Sequence, residues 1–224
     1  SVKLHSAEVV GIDGEIIDVE IDLSQGLFSF SIVGLADKAV DESRHRIAAA
    51  IKNSGARQPQ KKNHRVTVSL APADLKKEGP AFDLPIALAY LLVSEQTKFN
   101  PKGKLFLGEL ALDGSLRPIR GVLALALAAK DAGFKELYVP CGNGTEAVLA
   151  GSIKVFEIPT LLAALYHLEG KELLPETPEY SLLESFSSAE NSYTYTDFAD
   201  ARGQETAKHA LEIAAAGSHN IILS

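Results

Sequence analysis

Hydrophobic and polar positions along the first third of the chain alternate with a period of two, the signature of half-buried strands. Val2 to Val10 is β-rich, and Gly11-Ile12-Asp13-Gly14 supplies turn chemistry. Glu15 to Asp22 puts Ile17, Val19 and Ile21 on one face and Asp18, Glu20 and Asp22 on the other. After Ser24-Gln25-Gly26, Leu27 to Val33 alternates again, and the three strands together predict a meander. The period then lengthens. Asp37 is placed to cap a helix whose stripe is Val40, Ile47 and Ile51, backed by Ala48 and closed by Asn53-Ser54-Gly55.

A polar, basic loop from Arg57 to Arg65 precedes a short strand, Val66 to Leu70. The Pro- and Gly-containing stretch Ala71 to Ala81 leads to a second helix, Leu84 to Glu95, with Asp83 expected at its cap and Pro85 in its first turn. Leu105 to Leu112 and Leu116 to Ile119 flank Asp113-Gly114, a hairpin signal. Gly121 to Ala132 reads as a buried Ala- and Leu-rich helix. Short strands at Leu137 to Val139 and Lys154 to Glu157 bracket a helix near Gly144 to Ala150, and Thr160 to His167 is a last helix of this region.

Periodicity fades after Gly170. Glu172 to Thr196 is rich in Ser, Glu and Pro, a linker composition. A helix returns over Gln204 to Ala216, followed by an apolar strand, Asn220 to Ser224. The pattern therefore gives an α/β domain over 1–170, a linker over 171–196 and a helix-strand piece over 197–224.

Composition narrows the classes. One cysteine, Cys141, leaves no pair for a disulfide, and six scattered histidines give no zinc spacing. No apolar run approaches the roughly 18 to 20 residues that cross a bilayer. A cytoplasmic location without membrane attachment is the expectation. The net charge of −7 is uneven: acidic and basic side chains balance up to residue 165, and the excess acidity falls beyond it. Bulk charge thus gives no argument for nucleic acid, but local basic clusters do exist. Arg44 and Arg46 are expected on the solvent side of the first helix. Arg57, Lys61, Lys62, His64 and Arg65 lie in or beside the loop after it, and Lys76 and Lys77 in the loop before the second. Exposed Lys and Arg can track a phosphate backbone. No aromatic residue is interleaved with them in sequence, so base stacking finds no support there. Phe82 is expected to cap the core. Asp13, Asp18, Glu20 and Asp22 read as a solvated strand edge.

The end of the chain carries the most specific string. Phe198-Ala199-Asp200-Ala201-Arg202-Gly203-Gln204-Glu205-Thr206-Ala207-Lys208, continued by Ala210 to Ala216 and Gly217-Ser218-His219-Asn220-Ile221-Ile222-Leu223, resembles the entry to the ATPase domain of magnesium-chelatase-like AAA+ proteins of the ComM (YifB) group. Ile32-Val33-Gly34-Leu35-Ala36-Asp37-Lys38-Ala39-Val40-Asp41-Glu42-Ser43-Arg44 is similar to the N-terminal signature of that family. So are Ala49 to Gly55, Val68 to Pro85 and Leu107 to Gly121. In this family the final strand runs into a Walker A loop, so the chain is expected to stop inside the first strand of an ATPase domain.

The same central blocks resemble the proteolytic domain of Lon, which has a ribosomal-protein-S5-domain-2-like fold. That resemblance implies a Ser–Lys dyad, with the Ser after a Gly-Pro pair and the Lys after a Gly-Gly pair and one apolar residue. Here Gly79-Pro80 is followed by Ala81, and Arg120-Gly121-Val122 by Leu123. Neither side chain carries a nucleophile or a base. The resemblance therefore implies a non-catalytic domain with no cofactor of its own. Its parent would be a DNA-acting AAA+ motor that needs ATP and magnesium, assembles as a ring, a hexamer in its family's manner, and serves branch migration in transformation and recombination. Two other classes stay open: an oligomerisation domain without DNA affinity, and a hydrolase using other residues such as Thr67 or Ser69.

Overall fold

The computed structural model describes residues 1–59, 63–77, 79–178 and 203–222, without the side chains of residues 39 and 41. They fall into two compact units, Ser1–Tyr180 and Ser181–Ser224. The architecture is mixed α/β.

Four strands form the larger sheet: β1 (Val2–Val10), β2 (Asp13–Gln25), β3 (Ser29–Val33) and, after helix α1 (Lys38–Asn53), β4 (His64–Ala71). The order is β1-β2-β4-β3. The expected meander is therefore replaced. β2 pairs antiparallel with β1 and β4, and β3 pairs parallel with β4, with Phe30 opposite Val66 and Ile32 opposite Val68. The reason is α1: a helix between two strands returns the chain to the same end of the sheet, so the next strand runs parallel to the last. Gly34 makes this turn at φ +113°, and a Cβ there would lie 2.0 Å from the Leu70 carbonyl oxygen. Only glycine lets β3 leave the sheet this close to β4.

Asp37 caps α1 as expected, its Oδ1 accepting the Val40 N–H at 2.8 Å. Val40, Ile47 and Ile51 are fully buried. Helix α2 (Asp83–Val93) is buried along nearly its whole length and lies with α1 on one face of the sheet, against Leu4, Ile17, Val19, Ile21, Val66, Val68 and Leu70. Each such side chain contributes roughly 1.5–3 kcal/mol by leaving water. The opposite face is split: Ala7, Gly14 and Ile16 meet α3 (Val122–Asp131) and a second core, and the rest is polar. Asp18, Glu20 and Asp22 stand there on a central strand, not on an edge, and Lys3 and His5 of β1 pair with Asp18.

A second, parallel sheet contains β5 (Lys104–Phe106), β8 (Glu136–Pro140) and β9 (Lys154–Ile158), in the order β5-β8-β9. The expected strand Leu105 to Leu112 is broken. At Gly108 (φ +154°) the chain leaves β5 and enters a two-stranded ribbon, β6 (Glu109–Leu110) with β7 (Leu116–Arg117), closed by the Asp113-Gly114 turn. Helix α3 (Val122–Asp131) buries Val122, Leu125, Ala126 and Ala129 in a second core with Leu105, Leu107, Leu137 and Val139. Gly14 of β2 admits it: a Cβ there would be 2.6 Å from the Ala124 carbonyl oxygen.

Helix α4 (Gly144–Ala147) continues into a 3-10 turn, Val148–Ala150, and α5 (Leu161–Leu168) is capped by Thr160. Residues 171–178, read from sequence as the start of a linker, are tied to the domain: Lys171, Glu172 and Leu174 bond back to α5, and Glu176 and Thr177 lie beside β9. Glu176 bridges Phe156, and the Thr177 N–H reaches the Val155 carbonyl at 2.8 Å.

In the second unit, α6 (Glu205–Ala216) matches the expected helix. Asn220–Ile222 are not in a strand, since no partner strand lies among the described residues of this unit. The rest of the expected linker, Phe198 to Arg202 and the last two residues lie outside the described residues.

Candidate functional site

A cleft of about 690 Å³ is built where four segments of the first unit meet. Ala7, Glu8 and Val9 come from the end of β1, and Asp37 from the cap of α1. Gly79, Pro80 and Ala81 precede α2, and Pro118 to Gly121 precede α3. Asp37 ties two of these walls: Oδ1 caps α1, while Oδ2 accepts the Gly79 N–H at 3.3 Å. Ala81 is fixed by its backbone, its carbonyl accepting the Gly108 N–H at 2.9 Å. Leu123, just past the rim, donates its N–H to Glu146 Oε1 at 2.9 Å and packs into the second core. The fold thus brings the segments that carry Ala81 and Leu123 to one cleft: Ala81 lines it with a methyl group, while the Leu123 isobutyl group packs into the second core.

The ionisable groups of the cleft are Glu8, Asp37, Glu109 and Arg120. Asp37 is committed to the two backbone amides, and Glu109 Oε1 accepts from Arg117 Nη1 at 3.3 Å. Among the described residues, no group of three His, Cys, Asp or Glu side chains could hold a metal ion. Thr67 and Ser69, the hydroxyls of the hydrolase alternative, sit on β4 opposite Asp22 and Glu20, on the polar face of the sheet and away from this cleft. Cys141 is exposed, and burial with the nearby Glu157 carboxylate pushes its thiol pKa up, away from reactivity.

The family model described as subunit ChlI of Mg-chelatase matches residues 19–143, more than half of the chain, which takes in the cleft residues from Asp37 to Gly121 but not β1 or β9. The chain belongs to the magnesium-chelatase ChlI family. A second model, magnesium chelatase, subunit ChlI, matches residues 197–224. Family members similar to it include the competence protein ComM of Haemophilus influenzae, 39% identical over 220 residues, 98% of this chain and 42% of that protein. The YifB protein of Escherichia coli is 39% identical over 221 residues, with the same shares of each chain. The chain therefore spans less than half the length of the curated relatives it matches. A Lon protease of Mycolicibacterium smegmatis is 28% identical over 140 residues, covering 60% of this chain and 18% of the protease.

This ChlI-family fold scatters the basic residues singled out from sequence. Arg44 is exposed near the start of α1. Arg57 is exposed at the other end, where its backbone N–H and carbonyl bond the Gln96 side chain. Arg65 is exposed beside Ser24 and Ser29, on the opposite face of the sheet from the buried Val66. Lys76 is exposed in the loop before α2, and Lys61 and Lys62 lie outside the described residues.

Two of the set are corrected. Arg46 does not face solvent: its side chain is 20% exposed and grips the fully buried Asp83, Nε to Oδ2 at 2.7 Å and Nη2 to Oδ1 at 3.1 Å. Asp83 in turn is not a helix cap. It points into the core and also accepts the Leu110 N–H at 3.1 Å. Lys77 is fully buried, its Nζ donating to the carbonyls of Pro72 and Leu75. Burial pushes its pKa below the usual lysine value.

Aromatics do meet one of these basic residues in space, though not in sequence. Phe28 and Phe30 line a small pocket together with Arg44 and His45. Nothing in the linear sequence links residues 28–30 to 44–45; only the packing of α1 beside β3 does.

Proposed function

We propose that this chain is a non-catalytic accessory region, with an S5-domain-2-like fold, of a ring-forming AAA+ ATPase that works on DNA in recombination. It contributes to assembly and guides DNA along exposed basic side chains. The observation that carries the non-catalytic part is the cleft. Of the two positions where the Lon resemblance would set a hydroxyl and an amine, one lines the cleft as Ala81, and the other is Leu123, whose side chain packs into the second core. A fold can persist when the chemistry of its site is gone. The DNA part is supported by the similarity to a competence protein and by the exposure of Arg44, Arg57, Arg65 and Lys76.

ATP and magnesium are assigned to the remainder of a parent protein. The sequence contains no Gly-Lys-Ser or Gly-Lys-Thr to cradle phosphates, so its residues do not fit a nucleotide at a Walker loop, and no ATP-driven step is derived for them. A cytoplasmic location follows from the same reading. No helix among the described residues is long and apolar enough to cross a membrane.

Filter binding of single- and double-stranded DNA over a salt series, together with sedimentation of the chain, tests the proposal. Binding that weakens with salt, and self-association, are expected. Assembly without DNA affinity would leave a purely structural domain. Labelling of Thr67 or Ser69 by a hydroxyl-directed probe would restore the hydrolase alternative.

A further inference from the structure

Phe28 and Phe30 are two residues apart, so both side chains project toward the helix side of the sheet. Arg44 and His45 of α1 close the pocket from above, giving a recess of about 210 Å³. Phe30 is partly buried and packs against the main core, which fixes the floor, while Phe28 is 36% exposed and offers a free ring surface. The floor is thus aromatic and the rim cationic. Neither phenylalanine has a polar atom, so the pocket offers hydrophobic and stacking contact without reading hydrogen-bond patterns. Such a site takes a flat aromatic ligand that carries negative charge beside the ring. A nucleobase attached to its phosphate has this combination, and every base has a face to stack.

We propose that Phe28, Phe30, Arg44 and His45 form a stacking pocket for a base of single-stranded DNA, with Arg44 pairing to the adjoining phosphate. This rests on the DNA-acting reading above and adds to it a named site and a preference for unpaired bases. Paired bases in a duplex are stacked on each other and cannot enter.

The chain contains no tryptophan, so Phe28→Trp installs a single reporter at the exposed wall. Its emission is followed while oligo(dT), an abasic strand of equal length and thymidine monophosphate are titrated separately. Quenching by oligo(dT) is expected, with affinity about fivefold or more above that for the abasic strand. In the otherwise native chain, Phe28→Ala removes that preference while leaving the salt dependence of binding. Arg44→Gln weakens both strands. Circular dichroism confirms that each variant is folded.

Equal, salt-dependent binding of the two strands without quenching overturns the stacking pocket and leaves the DNA-acting reading intact. No binding of any strand overturns both. Quenching by thymidine monophosphate at the same concentration as by oligo(dT) overturns the strand assignment in favour of a free nucleotide.

Discussion

Arg46 and Asp83, 37 residues apart in sequence, form a two-point ion pair that locks the first turn of α2 onto the side of α1. Ser43 also bonds Arg46 Nη2, at 3.1 Å, and the Leu110 N–H bonds Asp83, so helix, helix and ribbon share one carboxylate. Burial pushes the Asp83 pKa up, and Arg46 first, then Ser43 and last the Leu110 N–H, oppose that rise. Removing one partner leaves a charge stranded in the core. Arg46→Leu is expected to cost about 3–5 kcal/mol, whereas Arg46→Leu with Asp83→Leu recovers much of the loss. Urea unfolding of the two single variants and the double variant checks this.

The exposed and the buried basic residues should separate in DNA binding. Arg57→Gln and Arg65→Gln are each expected to lower the slope of log affinity against log salt by about 1, if they meet phosphates. Lys77→Met should leave the slope unchanged. Its effect should appear instead as faster amide exchange in residues 73–77, because the carbonyls of Pro72 and Leu75 lose their donor. Anisotropy titrations at several salt concentrations and hydrogen exchange make the two readouts.

Gly34→Ala should destabilise the larger sheet by about 1–3 kcal/mol, because the added methyl meets the Leu70 carbonyl oxygen in a backbone region that alanine avoids. The change in urea midpoint measures it. Gly55→Ala, with open space around its Cβ, is the control that isolates the cost of positive φ alone.

His167 makes stability fall on mild acidification. Its ring lies against Phe156 and Tyr138, and its Nδ1 accepts the Leu174 N–H at 2.9 Å, which requires an unprotonated nitrogen. Burial, reinforced by Lys104 and opposed by Glu136, holds its pKa below 6.5. Above 6.5 both folded and unfolded forms are neutral, and the full contribution is present. Below 6.5 the unfolded chain takes up a proton that the folded ring resists, so stability is lost down to the depressed folded value. His167→Asn should flatten the dependence between pH 7.5 and 5.5. The Glu136 and Glu169 carboxylates, held below their usual 4.5, act only in a more acid window.

Elements that carry a strong local period were legible in the sequence. The α1 stripe and its Asp37 cap, the Thr160 helix and the Asp113-Gly114 turn all stand where residue spacing puts them, because each depends on neighbours within four residues. What failed depended on partners far along the chain. Strand order hinges on where α1 returns the chain, which no alternation pattern records. Asp83 looked like a cap because caps and buried partners use the same residue type, and only Arg46 across the core distinguishes them. Lys77 looked exposed because a lysine's burial depends on carbonyls that a loop folds toward it. Residues 28, 30, 44 and 45 were each visible, but their meeting point was not.

Ala81 and Leu123 are both held through backbone bonds, to Gly108 and Glu146, that do not involve their side chains. Position and chemistry are therefore separable at Ala81, where a hydroxyl could be gained or lost by one substitution without moving the cleft wall, whereas an amine at Leu123 would also have to leave the second core. A lineage of such folds can change between cutting and merely holding as a local event, and the scaffold keeps no trace of which it last did.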